Sequence, residues 1–189
     1  DSTELYIARA GRFNVDGLFG WEQIEKLIDS SGLPKVPDLS HSQVQTLLGS
    51  IGVAKGYDIW IPLIDRAKLD WRIAIRFTSR QTLPYGFEKV ESILGEIDVM
   101  WIQKGANDIR ALFEIEHSTP VYSGLLRFND VHLVAPGLSR FSIVANNERR
   151  SLFVRQLDRP TFITSGLREL CTFLDYTDVY NWHQRVFGR

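Results

Sequence analysis

Two short runs decide how this chain folds: Ile97-Asp98-Val99-Met100-Trp101-Ile102 and Ala111-Leu112-Phe113-Glu114-Ile115-Glu116. The first is rich in β-branched and aromatic residues, the second alternates, and the Gly-Ala-Asn-Asp stretch after Lys104 has the chemistry of a tight turn. Together they predict a β-hairpin. Strand side chains alternate between faces, so Glu114 and Glu116 share one face and Phe113 and Ile115 the other. A turn centred near residues 105–107 brings Asp98 into the neighbourhood of Glu114. Three carboxylates then converge on one end of a sheet.

Working outward, Ser40 and Gln43 form a capping-box pattern that opens a helix over 41–54. Val44, Leu47, Leu48 and Ile51 are its apolar stripe, Gly49 and Gly52 weaken it, and Gly56 suits its exit. Residues 57–62 and 71–77 alternate and read as strands, 79–86 as a loop, and 87–94 as a helical turn or two. After the hairpin, the spacing of Leu125, Phe128, Val131 and Leu133 predicts a helix over 121–134, which Pro136-Gly137 ends. A strand over 141–145, a helix over 147–157 and a last helix over 165–174 follow. The tail 176–189 gives no clear pattern, although Trp182 suits packing. On the other side, residues 20–31 read as a short amphipathic helix, and the proline-containing stretch 32–40 as a linker. These elements predict an α/β (α+β) domain, a mixed central sheet flanked by helices, over 41–189, with residues 1–40 as a helical extension.

The chain has 189 residues, 44% hydrophobic and 24% charged, enough for a core that needs no staples. It shows no apolar run of membrane-spanning length and no leader pattern, and its single cysteine, Cys171, suits a reducing compartment. The expectation is a cytoplasmic protein with no membrane contact. Because the sequence begins with Asp1, we read it as a domain of something longer.

The net charge of −1 does not announce a nucleic-acid binder, but its distribution is uneven. Residues 91–116 carry Glu91, Glu96, Asp98, Asp108, Glu114 and Glu116 against Lys104 and Arg110. Basic segments flank them: Arg66, Lys68, Arg72, Arg76, Arg80 and Lys89 before, and Arg140, Arg149, Arg150, Arg155, Arg159 and Arg168 after. Phosphate grips around an acidic, cation-concentrating centre would have this layout, and so would a solvated surface.

Three clustered anions are costly unless a cation neutralises them, and oxygen donors favour Mg²⁺, with Mn²⁺ as substitute, over zinc. Such a site suits phosphate chemistry. The Ile115 carbonyl is a further candidate ligand, since strand carbonyls point sideways near a sheet end. As bare text the pattern is weak, because E-x-E is also plain alternation with solvent.

With its surrounding elements, Ile97-Asp98-Val99 followed by Phe113-Glu114-Ile115-Glu116 resembles the active-site region of the restriction-endonuclease-like superfamily, the PD-(D/E)xK nucleases. The resemblance covers roughly residues 41–158. Glu116 stands where a lysine is usual, as in the E-x-E variant of the BamHI type, and Ile97 stands where a proline is usual. The resemblance implies that Asp98 and Glu114 ligate the metal, and that Glu116 helps ligate it or orients and deprotonates the water. An acid from an earlier helix often joins such sites, and Glu91 is the candidate.

Lys104, His117, Ser118, Arg127, Asn147, Arg149 and Arg150 are candidate contacts to double-stranded DNA, each with a bland alternative as solvated or capping residues. His41, His132 and His183 show no metal-ligand spacing. No nucleophile-elbow or Gly-rich phosphate loop is present. The reading is a metal-dependent DNA endonuclease of a restriction or anti-phage system, working as a homodimer if it cuts both strands. Its rivals are a nuclease-like fold that only binds nucleic acid or a partner, and a carboxylate-pair sugar hydrolase.

Overall fold

The computed structural model describes residues 38–118 and 120–188. The helix expected over 20–31 and nearly all of the expected extension over 1–40 lie outside them. Ser40 caps helix α1 (His41–Ala54) as its sequence predicts. Its hydroxyl accepts from the Gln43 amide and the Gln43 side chain accepts from the Ser40 amide. Gly49 and Gly52, which weaken this helix in isolation, are what let it pack. A Cβ at Gly49 would fall 2.1 Å from the Phe77 ring, and one at Gly52 2.6 Å from Trp101 Nε1. Gly56 then leaves the helix with φ at +84°, a conformation that favours glycine.

Among the described residues, five strands form one sheet in chain order: β1 (Tyr57–Trp60), β2 (Val99–Gln103), β3 (Ile109–Ile115), β4 (Phe141–Ala145) and β5 (Cys171–Asp175). β1, β2 and β3 pair antiparallel, while β3, β4 and β5 pair parallel, so the sheet is mixed as expected. Short helix α2 (Glu91–Glu96) precedes β2. Helix α3 (Val121–Val134) is the crossover from β3 to β4, and α4 (Arg150–Leu157) with α5 (Pro160–Ser165) is the crossover from β4 to β5. Helix α6 (Tyr176–Phe187) closes the described chain.

Strand parity divides the core into two layers. Val99, Trp101, Phe113, Ile115, Val144 and Leu174 face α1 and α6. Met100, Ile102, Leu112, Ile143 and Phe173 face α2, α3, α4 and α5. Trp101 anchors the first layer: fully buried, it donates to the Leu48 carbonyl at 3.1 Å and lies against the rings of Phe113 and Trp182.

The structure corrects two expectations. Residues 71–77 alternate but form turns and irregular backbone, and the nearest strand-like pairing is an isolated bridge between Ile59 and Ser79, just past the segment. Its alternation follows a different constraint: Phe77 fits over Gly49 and its ring meets Trp71 edge-on, while Ile75 stays exposed. The helix expected over 165–174 is a single tight turn, Leu167–Glu169, followed by strand β5. Gly166, at φ +82°, ends α5, and Cys171, Phe173 and Leu174 are buried between neighbours on both sheet faces. A short run buried on both faces has no period to distinguish strand from helix. The unread tail becomes α6 through a second capping box, Asp175 with Asp178, and Trp182 packs as expected.

His183 on α6 is 4% exposed, and neither ring nitrogen has a hydrogen-bond partner among the described residues. Burial pushes its pKa down to about 4. The folded state thus disfavours the charged ring, and the unfolded chain binds more protons between that value and the ordinary histidine range near 6.5. This contribution to stability is complete above that range and is lost as pH falls through the window. The His183→Phe variant should show a shallower loss of melting temperature than the parent between about pH 6.5 and 4. Parallel curves for the two proteins would contradict this account.

Candidate metal and nucleic-acid site

The hairpin register places Val99 opposite Phe113, which sets Asp98 opposite Glu114 just beyond the start of β2. Glu114 lies within β3, on the face that meets α3, and Glu116 follows one residue past the strand's end. Both glutamates are 1% exposed, so neither is the solvated strand acid that plain alternation would allow. The three carboxylates act on one another electrostatically. Burial pushes the Glu114 carboxyl above the usual carboxylate range and the charges of Asp98 and Glu116 add to this, while Arg127 pulls it back.

Each acid is held by a different part of the fold. Arg127, from α3, makes a bidentate contact with Glu114: Nε to Oε1 at 2.6 Å and a terminal nitrogen to Oε2 at 3.1 Å. The hydrogen bond to Glu114 in turn raises the Arg127 pKa. Asp98 Oδ2 accepts the Ile115 amide at 2.7 Å, and Asp98 Oδ1 lies 3.2 Å from His41 Nε2. Burial opposes a charge on His41, but Asp98, Asp65 and Glu116 outweigh it and raise its pKa. Glu116 is anchored through its own amide, which donates to the Val144 carbonyl at 2.8 Å.

Gly124 makes this proximity possible. A Cβ there would lie 2.7 Å from Glu116 Oε1, 3.1 Å from Ile143 Cδ1 and 3.2 Å from the Glu114 Cβ. The absent side chain seats α3 directly on the two glutamates and places Arg127, one turn later, over Glu114.

The parallel strands end together. Ile115 pairs with Val144 and Ala145 with Asp175, so the segments following β3, β4 and β5 share one edge of the sheet. His117, Ser118, Asn147, Arg149 and Arg150 all stand on this edge with the carboxylates. Arg149 donates to the His117 carbonyl at 2.9 Å, and Arg150 donates to Asn147 Oδ1 at 2.8 Å while lying over the Phe173 ring. His117 and Ser118 are exposed. Helix α3 starts after Pro120 with no side-chain cap, so Ser118 does not serve as its cap.

Two candidates stand apart. Lys104 is exposed at the hairpin tip, past the far end of β2 from Asp98, ~20 Å away by strand rise. Glu91 is exposed in the first turn of α2, and the acid of that helix that approaches the cluster is Glu96, 4.0 Å from Arg127. Of the basic segment before the hairpin, Arg66 and Arg80 are used to bind loop carbonyls, and Arg72 pairs with Asp70.

Three contributors escaped the sequence reading. His41 lies 57 positions from the acid it meets. Gly124 carries no local signal beyond the helix cost of any glycine. Tyr176 opens a helix whose pattern was not legible. Its ring stacks on that of His117 at 6.2 Å, and its buried hydroxyl has no hydrogen-bond partner among the described residues. Burial raises its pKa, Arg149 opposes this, and Asp98 and Glu116 add to it, which places Tyr176 within electrostatic reach of the cluster.

Over residues 24–185 the sequence matches the family of the type II restriction enzyme NmeDI C-terminal domain. The chain belongs to that family. It is 30% identical over 131 residues to the type II restriction enzyme NmeDI of Neisseria meningitidis serogroup C. That alignment covers 65% of this chain and 37% of the relative, so the chain corresponds to well under half of that protein. No solved structure matches. Among the described residues, no helix is long and apolar enough to cross a membrane.

Replacing Gly124 by alanine forces Glu116 and Ile143 to move within a packed layer. The overpacking cost of about 1–3 kcal/mol exceeds or matches the roughly 1 kcal/mol gained in helix propensity. We expect Gly124→Ala to lower the melting temperature and to reduce any activity of the carboxylate cluster. A variant at least as stable as the parent, with undiminished activity, would show that the close approach is dispensable.

Proposed function

We propose that this domain is a divalent-metal-dependent DNA endonuclease of a restriction system, with Asp98, Glu114 and Glu116 as its acidic cluster. The observation that carries the reading is the meeting of three carboxylates, two of them buried, at the end of the β2–β3 hairpin in a chain of restriction-enzyme kinship. In its terms the site is the E-x-E form of the PD-(D/E)xK arrangement.

Among the described residues, no group of three or more His, Cys, Asp or Glu side chains is placed to hold a metal ion. The donor set still fits a hard cation, because Mg²⁺ commonly takes one or two carboxylates and completes its shell with water. Buried anions also need a cation more than exposed ones do. Asp98 and Glu114 would hold Mg²⁺, or Mn²⁺ in its place, with the Ile115 carbonyl as the further candidate. Bound there, the ion would polarise a phosphoryl oxygen and lower the pKa of a coordinated water.

The chain's own residues divide the remaining work. Glu116, in the position of the usual lysine, accepts the proton of the attacking water. The Ile115 amide and His41 fix Asp98 in orientation. Arg149, with Asn147 and Arg150, offers donors to the phosphates of a duplex along the edge where the parallel strands end. One such site cuts one strand, so a double-strand break calls for two copies.

A second reading has its own observation: both oxygens of Glu114 are occupied by Arg127. A nuclease-like module that binds DNA or a partner without cutting would tolerate that permanently. Plasmid DNA incubated with and without Mg²⁺ separates the two. Under the proposal the parent cleaves only with the ion. Asp98→Asn and Glu116→Gln should each lose at least about 100-fold in rate while still melting cooperatively and binding duplex. Undiminished cleavage by both variants would remove the cluster from the chemistry, and metal-independent binding without cleavage by the parent would favour the second reading.

A further inference from the structure

We infer that Arg127 is a resident counter-cation that a divalent ion displaces from Glu114, and that the released guanidinium then binds the phosphate of the DNA. The inference rests on the metal-site reading above and adds what happens to the residue that now fills the site.

The contact has the features of a replaceable ion. Glu114 is almost wholly buried, so its charge must be compensated from within the fold. Arg127 supplies it through two parallel hydrogen bonds, using the carboxylate oxygens that a metal would use. Yet Arg127 itself is not locked in the core, since 29% of its side chain remains exposed. Glu96, 71% exposed, already lies 4.0 Å from one of its terminal nitrogens. A guanidinium leaving Glu114 thus has an acidic partner at the surface and a short path to it. Its three-carbon stem allows the swing without any movement of α3.

Charge favours the exchange as well. A doubly charged ion beside Asp98, Glu114 and Glu116 takes over the compensation that Arg127 gives, and repels it. A phosphate arriving with the ion offers the planar guanidinium a bidentate partner equivalent to the one it lost. Metal and duplex should therefore bind cooperatively, each strengthening the other by the same factor.

The test measures Mn²⁺ binding to the whole chain without DNA, by the loss of the free-ion electron paramagnetic resonance signal. Arg127→Met removes the competing cation while keeping apolar bulk. It should bind Mn²⁺ about tenfold more tightly than the parent, with Arg127→Lys in between. Mn²⁺ should tighten the parent's hold on a short duplex several-fold more than that of Arg127→Met. If the parent binds Mn²⁺ and both variants bind it equally or more weakly, the exchange is wrong and the metal site stands. If none of the three binds Mn²⁺, both readings fall. Should Arg127→Met melt non-cooperatively, Arg127→Lys decides alone: tighter binding than the parent supports the exchange, and equal or weaker binding overturns it.

Discussion

The demand made by one buried carboxylate organises much of this molecule. Glu114 sits in the middle strand of the sheet with almost no access to water, and a lone anion there would cost several kcal/mol. The fold answers from α3, which carries Arg127 to both oxygens. That helix can come close enough only because Gly124 has no side chain to hold it off Glu114 and Glu116. The crossover from β3 to β4 therefore does more than connect two parallel strands. It supplies the cation that makes the middle of the sheet tenable.

The neighbouring acid is held on a different principle. Asp98 stands just outside β2, where it accepts a backbone amide of β3 and meets His41 from the start of α1. One carboxylate is thus compensated from the α3 layer and the other from the α1 layer. The sheet is the partition between them, and the cluster forms where the hairpin and the parallel strands both end. Residues far apart in the chain, including His41, Asp98, Glu114, Arg127 and Tyr176, meet there because that edge is where three connections leave the sheet.

How much of this was legible depended on whether the signal was local. The hairpin announced itself through alternation and turn residues, and parity alone put Glu114 and Glu116 on one face. The capping box at Ser40 and Gln43 fixed the start of α1, and the apolar spacing of Leu125, Phe128 and Val131 fixed α3. Residues 71–77 misled because alternation there serves the packing of Phe77 over Gly49 and no neighbouring strand. Strand β5 was hidden because Cys171, Phe173 and Leu174 are apolar toward both faces. The partners of the acids left no local trace: nothing in the text around His41 or Arg127 says which carboxylate each will meet. Gly49 and Gly52 carried the opposite of their sequence meaning, since what weakens an isolated helix permits close packing in a folded one.

The two connections of β3 differ in what they would tolerate. The turn after β2 is short, largely exposed around Lys104 and Gly105, and far from the acids, so extra residues spliced in at its tip would lengthen a surface loop and leave the strand register intact. The link from Glu116 to Val121 sets the height at which α3 meets the sheet. An insertion there would slide Arg127 along the strand and separate it from its carboxylate. The hairpin tip is thus a natural attachment point for a label or an added domain, whereas the opposite end of the same strand works as a fixed-length spacer.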